Sequence, residues 1–202
     1  AYGSAPTVDV LFGQAYFLRF DPKLWAAQQP YAPLGTLYAA ASVRARGYLV
    51  ALFDAMLARS EAEWAEALDR HRPRFAVIYE DSFNYLSKMC LLRMREAALT
   101  MIDAARARGV TTIVAGSDAS DHHAIYLDRG ADVVVIGEGE VTLVEVIDVL
   151  AGRLDKPLPD IAGICVRGTD GRVVRSRPRK IVRGLDQLPW PAWDLVDVEQ
   201  YR

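Results

Sequence analysis

The chain has 202 residues, 51% of them hydrophobic and 25% charged, with a formal net charge of −2. That balance belongs to an ordinary globular chain with length for one full domain and an appendage, and it offers no general attraction to nucleic acid or anionic membrane. No apolar run is long enough to span a bilayer, and no basic segment followed by an apolar core opens the chain, so the expected setting is the cytoplasm.

Residues 1–6 read as a frayed lead-in, and Val8 to Phe12 as a first strand ended by Gly13. Gln14 to Ala32 shows no clean period and holds Pro22 and Pro30. So long a loop after the first strand of an α/β unit reads as a binding loop. Pro33 then opens a helix, as a proline at the first helical position should, and Arg46-Gly47 closes it. Between them Leu34, Leu37, Tyr38, Ala41 and Ala45 fall at helical spacing. Tyr48 to Phe53 is the second strand, ending at Asp54. Ser60 with Glu63 makes a capping box for a helix through Trp64, Ala67 and Leu68, which Pro73 stops. Phe75 to Tyr79 is the third strand. After Glu80 to Asn84 a long helical pattern runs from about Leu86 to Arg108 and ends at Gly109. Val110 to Ala115 is the fourth strand, and residues 120–129 form a short helix ended by Gly130.

Ala131 to Ile136 is an unbroken apolar run rich in β-branched residues, which suits a strand buried on both faces of a parallel sheet. Gly137 and Gly139 follow, then a helix with Glu138 and Glu140 where its dipole favours acids. A strand, a glycine turn and a helix start form one rim of a ligand crevice, and equally describe a tight, well-capped connection. Five strands alternating with five helices over residues 7–152 require a mainly parallel sheet covered on both faces. The expected fold is therefore α/β, a flavodoxin-like (Rossmann-like) doubly wound sheet of five parallel strands in the order 2-1-3-4-5.

Beyond Gly152 the composition changes, and residues 153–202 read as an extension. Leu154 to Pro159 is a linker. Ile161 to Arg167 and Arg172 to Ser176 flank Gly168-Thr169-Asp170-Gly171, a β-hairpin with an Asp-Gly turn. Arg175, Arg177, Arg179, Lys180 and Arg183 charge this unit, as a solvated edge strand requires. The tail Leu185 to Asp194 sets Trp190 and Trp193 among prolines, a stiff strap with no element of its own to bury them.

In a sheet of this order ligands sit beyond the carboxyl ends of the strands. A dinucleotide fingerprint needs three spaced glycines after the first strand, where only Gly13 stands, and no lysine-bearing phosphate loop occurs. Gln14 to Phe17 is not a flavin phosphate loop. Asp81 could stand as a phospho-acceptor, but the acidic pair and the lysine it would need are missing. His122 and His123 beside Asp118 and Asp121 invite a metal, yet adjacent helical side chains point about 100° apart. Helix capping by Asp118, Ser120 or Asp121 explains the group more simply. Cys90 and Cys165 are neither a disulfide framework nor a metal cluster, and read as buried thiols. No catalytic grouping and no metal site is assigned.

Several pieces stand together in a recognisable order: Pro33-Leu34-Gly35-Thr36-Leu37-Tyr38-Ala39-Ala40, Arg46-Gly47-Tyr48 with Val50 and Asp54, Ala115-Gly116, Ala131 to Glu140, and Leu185 to Trp193. In that order and spacing the chain resembles the N-terminal cobalamin-binding domain of cobalamin-dependent radical SAM enzymes. The resemblance implies cobalamin lying over the carboxyl ends of the strands. Its contacts would be Asp54 and Met56 after the second strand, Ser82, Phe83 and Asn84 after the third, Gly116 and Ser117 after the fourth, and Gly137, Glu138 and Gly139 after the fifth. It also implies a parent whose radical SAM barrel carries S-adenosylmethionine and a [4Fe-4S] cluster, with the two tryptophans packing on that barrel. The C-x-x-x-C-x-x-C cluster motif is missing from the 202 residues, so they are not expected to catalyse by themselves. The family's D-x-H-x-x-G is here Asp54-Ala55-Met56-Leu57-Ala58-Arg59, which leaves the lower face of the cobalt without a histidine. The usual Gly-Gly after the fourth strand is Gly116-Ser117. Base-off cobalamin serving methyl transfer or a radical rearrangement is the function implied. A cofactor-free scaffolding or interaction domain is the alternative.

Overall fold

The computed structural model describes residues 7–80, 91–181 and 183–201. Seven strands form one sheet in the order β2-β1-β3-β4-β5-β6-β7. They are β1 (Val10–Gly13), β2 (Val50–Leu52), β3 (Phe75–Tyr79), β4 (Thr111–Ala115), β5 (Val133–Val135), β6 (Ile164–Arg167) and β7 (Val173–Arg175). The first five are parallel, in the order expected from the sequence. The hairpin is not a separate unit. Its first strand pairs antiparallel with β5, with Val135 opposite Ile164. The reason lies in β5, three buried valines that would otherwise leave an apolar edge with unpaired backbone.

Alternation along the strands builds two cores. Leu11, Ala76, Ile78, Val114, Val134 and the buried thiol Cys165 point to one face. That face is covered by α3 (Ala62–His71), α4 (Leu91–Ala107) and α6 (His123–Arg129). Val10, Phe12, Phe75, Val77, Ile113, Val133 and Val135 point to the other, under α2 (Leu34–Ala45) and α7 (Glu140–Leu150). Cys90 lies outside the described residues. Asp148 on α7 ties the second layer together: it accepts from Arg46 Nη2 at 2.7 Å and from Tyr48 Oη at 2.8 Å. Burial, with the bond to Asp148 second, pushes the Tyr48 phenol up to about 12.

Local departures from the sequence reading have physical causes. The long loop after β1 contains α1 (Pro22–Ala27), because Asp21 accepts from the backbone N–H of Lys23 at 3.0 Å and of Leu24 at 3.1 Å. An acid before a proline at the first helical position is a helix start that the missing period concealed. Pro33 stands one residue earlier than expected, at the N-cap of α2. The capping box expected from Ser60 and Glu63 is not formed: α3 begins at Ala62 with Glu61 at its N-cap and no side chain capping it, while Glu63 accepts from the N–H of Arg59 at 2.8 Å. The helix expected over 120–129 is two pieces, α5 (Ser117–Asp121) and α6, broken at His122. None of the acids there caps α5, whose N-cap is Gly116.

Candidate ligand crevice at the carboxyl ends of the strands

The parallel strands deliver their connecting turns to one end of the sheet. Gly116, Ser117, Gly137 and Glu138 come together there around an open hollow of about 650 Å³. Gly35, Tyr79, Glu80, Ser120, Asp121 and Glu140 complete its lining. Thr36 Oγ1 donates to the carbonyl of Tyr79 at 2.9 Å, which seats the first turn of α2 over the end of β3. Gly137 takes φ +76°, a conformation for which glycine is best suited, and its N–H donates to Ser120 Oγ at 3.2 Å. A Cβ on Gly137 would meet nothing within 4 Å, so this glycine faces open space.

The other two glycines do something different. A Cβ on Gly116, at φ +142°, would lie 2.3 Å from Glu80 Cβ. A Cβ on Gly139 would lie 2.7 Å from Tyr79 Oη. The close approach expected at these positions is made by the side chains that end and follow β3. Glu80 in turn accepts from the N–H of Ala15 at 3.1 Å, and Tyr79 Oη donates to Glu140 at 3.1 Å. Tyr79 is not among the positions that the sequence marks, and Glu80 stands there only as the first residue of the turn after the third strand. Their signal was present: the last residue of a buried strand and its successor necessarily point into a crevice of this topology.

Asp54 and Met56 are placed elsewhere. Met56 is buried in an apolar cluster with Tyr16, Leu18 and Met94, against which Tyr31 and Tyr201 pack. Burial pushes the Asp54 carboxyl up to about 6, against the pull of the N–H groups of Met56 and Leu57. Tyr201 Oη donates to Asp54 Oδ2, so the end of the described chain returns to the β2 side of the sheet. Ser82, Phe83 and Asn84 lie outside the described residues. Of the ten positions named from the sequence, four line one hollow, Gly139 lies beneath Tyr79, Asp54 and Met56 stand on the β2 side of the sheet, and three lie outside the described residues.

A buried ion pair supports the β4 turn. Asp118, its side chain 7% exposed, takes a two-pronged bond from Arg95 on α4 at 2.8 and 2.6 Å and a third from Tyr126 Oη at 2.6 Å. Burial alone would raise the Asp118 carboxyl, but the bonds from Arg95 and Tyr126 hold it below its ordinary value. Burial, then the nearby charges of Glu80 and Asp118, push the Tyr126 phenol up. His122 Nε2 stands 3.9 Å from Asp118, and His123 Nδ1 lies 3.2 Å from the Ser120 carbonyl. Among the described residues, no three His, Cys, Asp or Glu side chains converge as a metal site.

The chemistry of the hollow suits a broad ligand with many donor groups. Serine hydroxyls and carboxylates supply acceptors, which match the amide fringe of a corrin ring. Gly137 leaves an open approach for a flat edge. An open, mainly parallel sheet with a hollow at its carboxyl ends is the architecture in which doubly wound domains bind ligands.

Comparison with known proteins makes the class specific. The model of the B12 binding domain family matches residues 25–147, more than half of the chain. The chain belongs to the B12 binding domain family. It is 36% identical over 72 residues to the uncharacterized methyltransferase PH0819 of Pyrococcus horikoshii, a match covering 35% of this chain and 15% of that protein. Its fold is similar to that of the cobalamin-dependent S-adenosylmethionine radical enzyme OxsB with aqua-cobalamin bound. The TM-score is 0.70 at 17% identity, over 93% of this chain and 24% of that one. It is likewise similar to the radical S-adenosylmethionine methyltransferase TsrM of Kitasatospora setae, with TM-score 0.62 and 18% identity, over 87% of this chain and 30% of that one. The chain thus spans under a third of these solved proteins, and the likeness to them is one of fold. No helix among the described residues is long and apolar enough to cross a membrane.

Proposed function

We propose that this chain is the corrinoid-binding module of a longer, cytoplasmic, cobalamin-dependent radical SAM protein. The observation that carries the reading is the coincidence of a B12 binding domain match with an open, acceptor-rich hollow at the carboxyl ends of β3, β4 and β5. Gly137 would admit the ring edge, and Ser117 and Ser120 would meet its amides. Bound cobalamin would supply a cobalt centre able to carry a methyl group or to support a radical rearrangement. The Asp54 to Arg59 segment has no histidine to offer that centre, which favours a base-off form without a histidine below the cobalt. S-adenosylmethionine and the [4Fe-4S] cluster would belong to the barrel of the parent. Trp190, 88% exposed, and Trp193, 44% exposed, are suited to packing against that barrel.

A second reading, a domain that keeps the fold without the corrinoid, is favoured by one observation. Glu80 and Tyr79 already fill the space beside Gly116 and Gly139, and Met56 is packed from all sides. Mixing the chain with hydroxocobalamin, desalting and recording the visible spectrum separates the two. Retained, shifted absorbance is the expected result, and a colourless protein sinks the corrinoid reading. Ser117→Phe and Gly137→Leu should each abolish retention while the chain still unfolds cooperatively.

A further inference from the structure

Between Gly171 and Leu185 the chain holds six cations, Arg172, Arg175, Arg177, Arg179, Lys180 and Arg183, and no carboxylate. Edge strands carry such charge simply to remain solvated and unpaired. Three of these residues have a more particular setting. Because β6 runs antiparallel to β5, the start of β6 and the end of β7 lie at the carboxyl end of β5. There Arg175, Arg179 and Lys180 line a hollow of about 280 Å³ together with Gly137, Glu138 and Gly163. Gly137 and Glu138 also line the larger crevice, so the two hollows meet at the turn after β5.

The arrangement is built rather than merely solvated. Arg179, its side chain 21% exposed, is fixed by donating to the carbonyl of Ala162 at 3.2 Å and by pairing with Glu145. Glu145 also holds Lys156 at 2.6 Å, so one carboxylate serves two cations and positive charge remains in excess. Gly163, at φ +82°, lets the chain close on Arg179; a Cβ there would lie 3.2 Å from Arg179 Cβ and 3.3 Å from the Ile136 carbonyl. Among the described residues Arg175 and Lys180 enter no ion pair, although both line the hollow, where Glu138 is the one carboxylate. Two uncommitted cations beside a fixed third, in a space of this size, match a compact dianion. Guanidinium groups bind phosphate through paired N–H donors, and an ammonium adds a point charge.

We propose that this basic hollow binds a phosphate group, gripped by Arg175 and Lys180 against the wall that Arg179 forms. The phosphate could arrive on a separate small molecule or as the phosphodiester in the nucleotide tail of cobalamin. The second source rests on the corrinoid reading above; the first does not. Inorganic pyrophosphate is the probe, titrated calorimetrically into the 202-residue chain at low ionic strength. Saturable binding is expected, weakened at least about tenfold in the double variant Arg175→Gln/Lys180→Gln. The swap Arg175→Lys/Lys180→Arg, which keeps both charges, should restore most of it. Arg172→Gln removes a cation away from the hollow and should change binding less than about twofold. Non-saturable binding, an unaffected double variant, or an equal loss in Arg172→Gln would each overturn the proposal.

Competition identifies the source. Pyrophosphate that displaces hydroxocobalamin but not dicyanocobinamide, which lacks the nucleotide tail, identifies the tail phosphate. Pyrophosphate that displaces neither identifies a separate phosphate-bearing ligand. A chain that retains no corrinoid yet binds pyrophosphate through Arg175 and Lys180 sustains the hollow and removes only the corrinoid reading.

Discussion

Replacing Arg95 by methionine tests whether the turn after β4, which supplies Gly116 and Ser117 to the candidate crevice, is held by charge. Methionine keeps much of the aliphatic stem but removes the two bonds, 2.8 and 2.6 Å long, that reach Asp118 from α4. The carboxylate left behind is 7% exposed and keeps the bond from Tyr126, with His122 Nε2 3.9 Å away. Breaking one side of a buried pair costs about 3–5 kcal/mol. Arg95 is itself 16% exposed and Tyr126 still donates, so the loss falls at or just below the bottom of that range, roughly 2–3 kcal/mol. For a chain of this length that corresponds to a fall of roughly 5–10 °C in Tm.

The pH dependence makes the test sharper. In the native protein the Asp118 carboxyl sits below its unfolded value. Its contribution is therefore present above the unfolded value, about 3.9, and is lost as pH falls through the folded one. Without Arg95, burial dominates and the carboxyl moves up, so acid relieves the variant while it weakens the parent. Urea unfolding should show the two curves well apart at about pH 7 and drawn together near about pH 3. A loss under about 1 kcal/mol at neutral pH, or a gap that acid leaves unchanged, would refute the reasoning.

Asp54→Asn reads a second titrating group: with its folded carboxyl raised to about 6, stability should decline more steeply in the parent than in the variant between about pH 4 and pH 6. The variant should therefore gain on the parent by up to about 2–3 kcal/mol as pH rises through that window, and parallel unfolding curves would count against a buried Asp54. Gly116→Ala should destabilise by about 2 kcal/mol or more, since its methyl group would overlap Glu80, whereas Gly137→Ala should cost about 1 kcal/mol for its backbone alone. Equal losses in thermal melts of the two would contradict the division of the glycines. Ala192→Leu should release the tail, because Ala192 is buried and its N–H donates to the carbonyl of Leu37 at 3.2 Å, while Trp190→Ser should change stability by less than about 0.5 kcal/mol. Limited proteolysis of the 183–201 segment would register the release, and an unchanged digestion pattern would refute it.

The sequence by itself determined the parallel core of the sheet and the end of it at which a ligand would bind. Local pattern carries that much: Phe75 to Tyr79 and Ala131 to Ile136 are apolar runs of strand length, and Gly109 and Gly130 end helices through backbone freedom alone. Given five such strands with helical crossovers, the order 2-1-3-4-5 and the turns at Gly116 and Gly137 follow from chain geometry. Tertiary structure alone decided which residues meet. Asp118 looked like a cap in one dimension, and only packing shows Arg95, 23 positions away, taking its carboxylate. Tyr201 reaches Asp54 across 147 residues, and Glu80 fills the space beside Gly116 because β3 and β4 are neighbours in the sheet. The cations that read as an edge defence gather round a hollow because β6 reverses direction beside β5. Spacing along a chain reports what neighbours in sequence can do for one another, whereas contacts between distant segments depend on how whole elements pack.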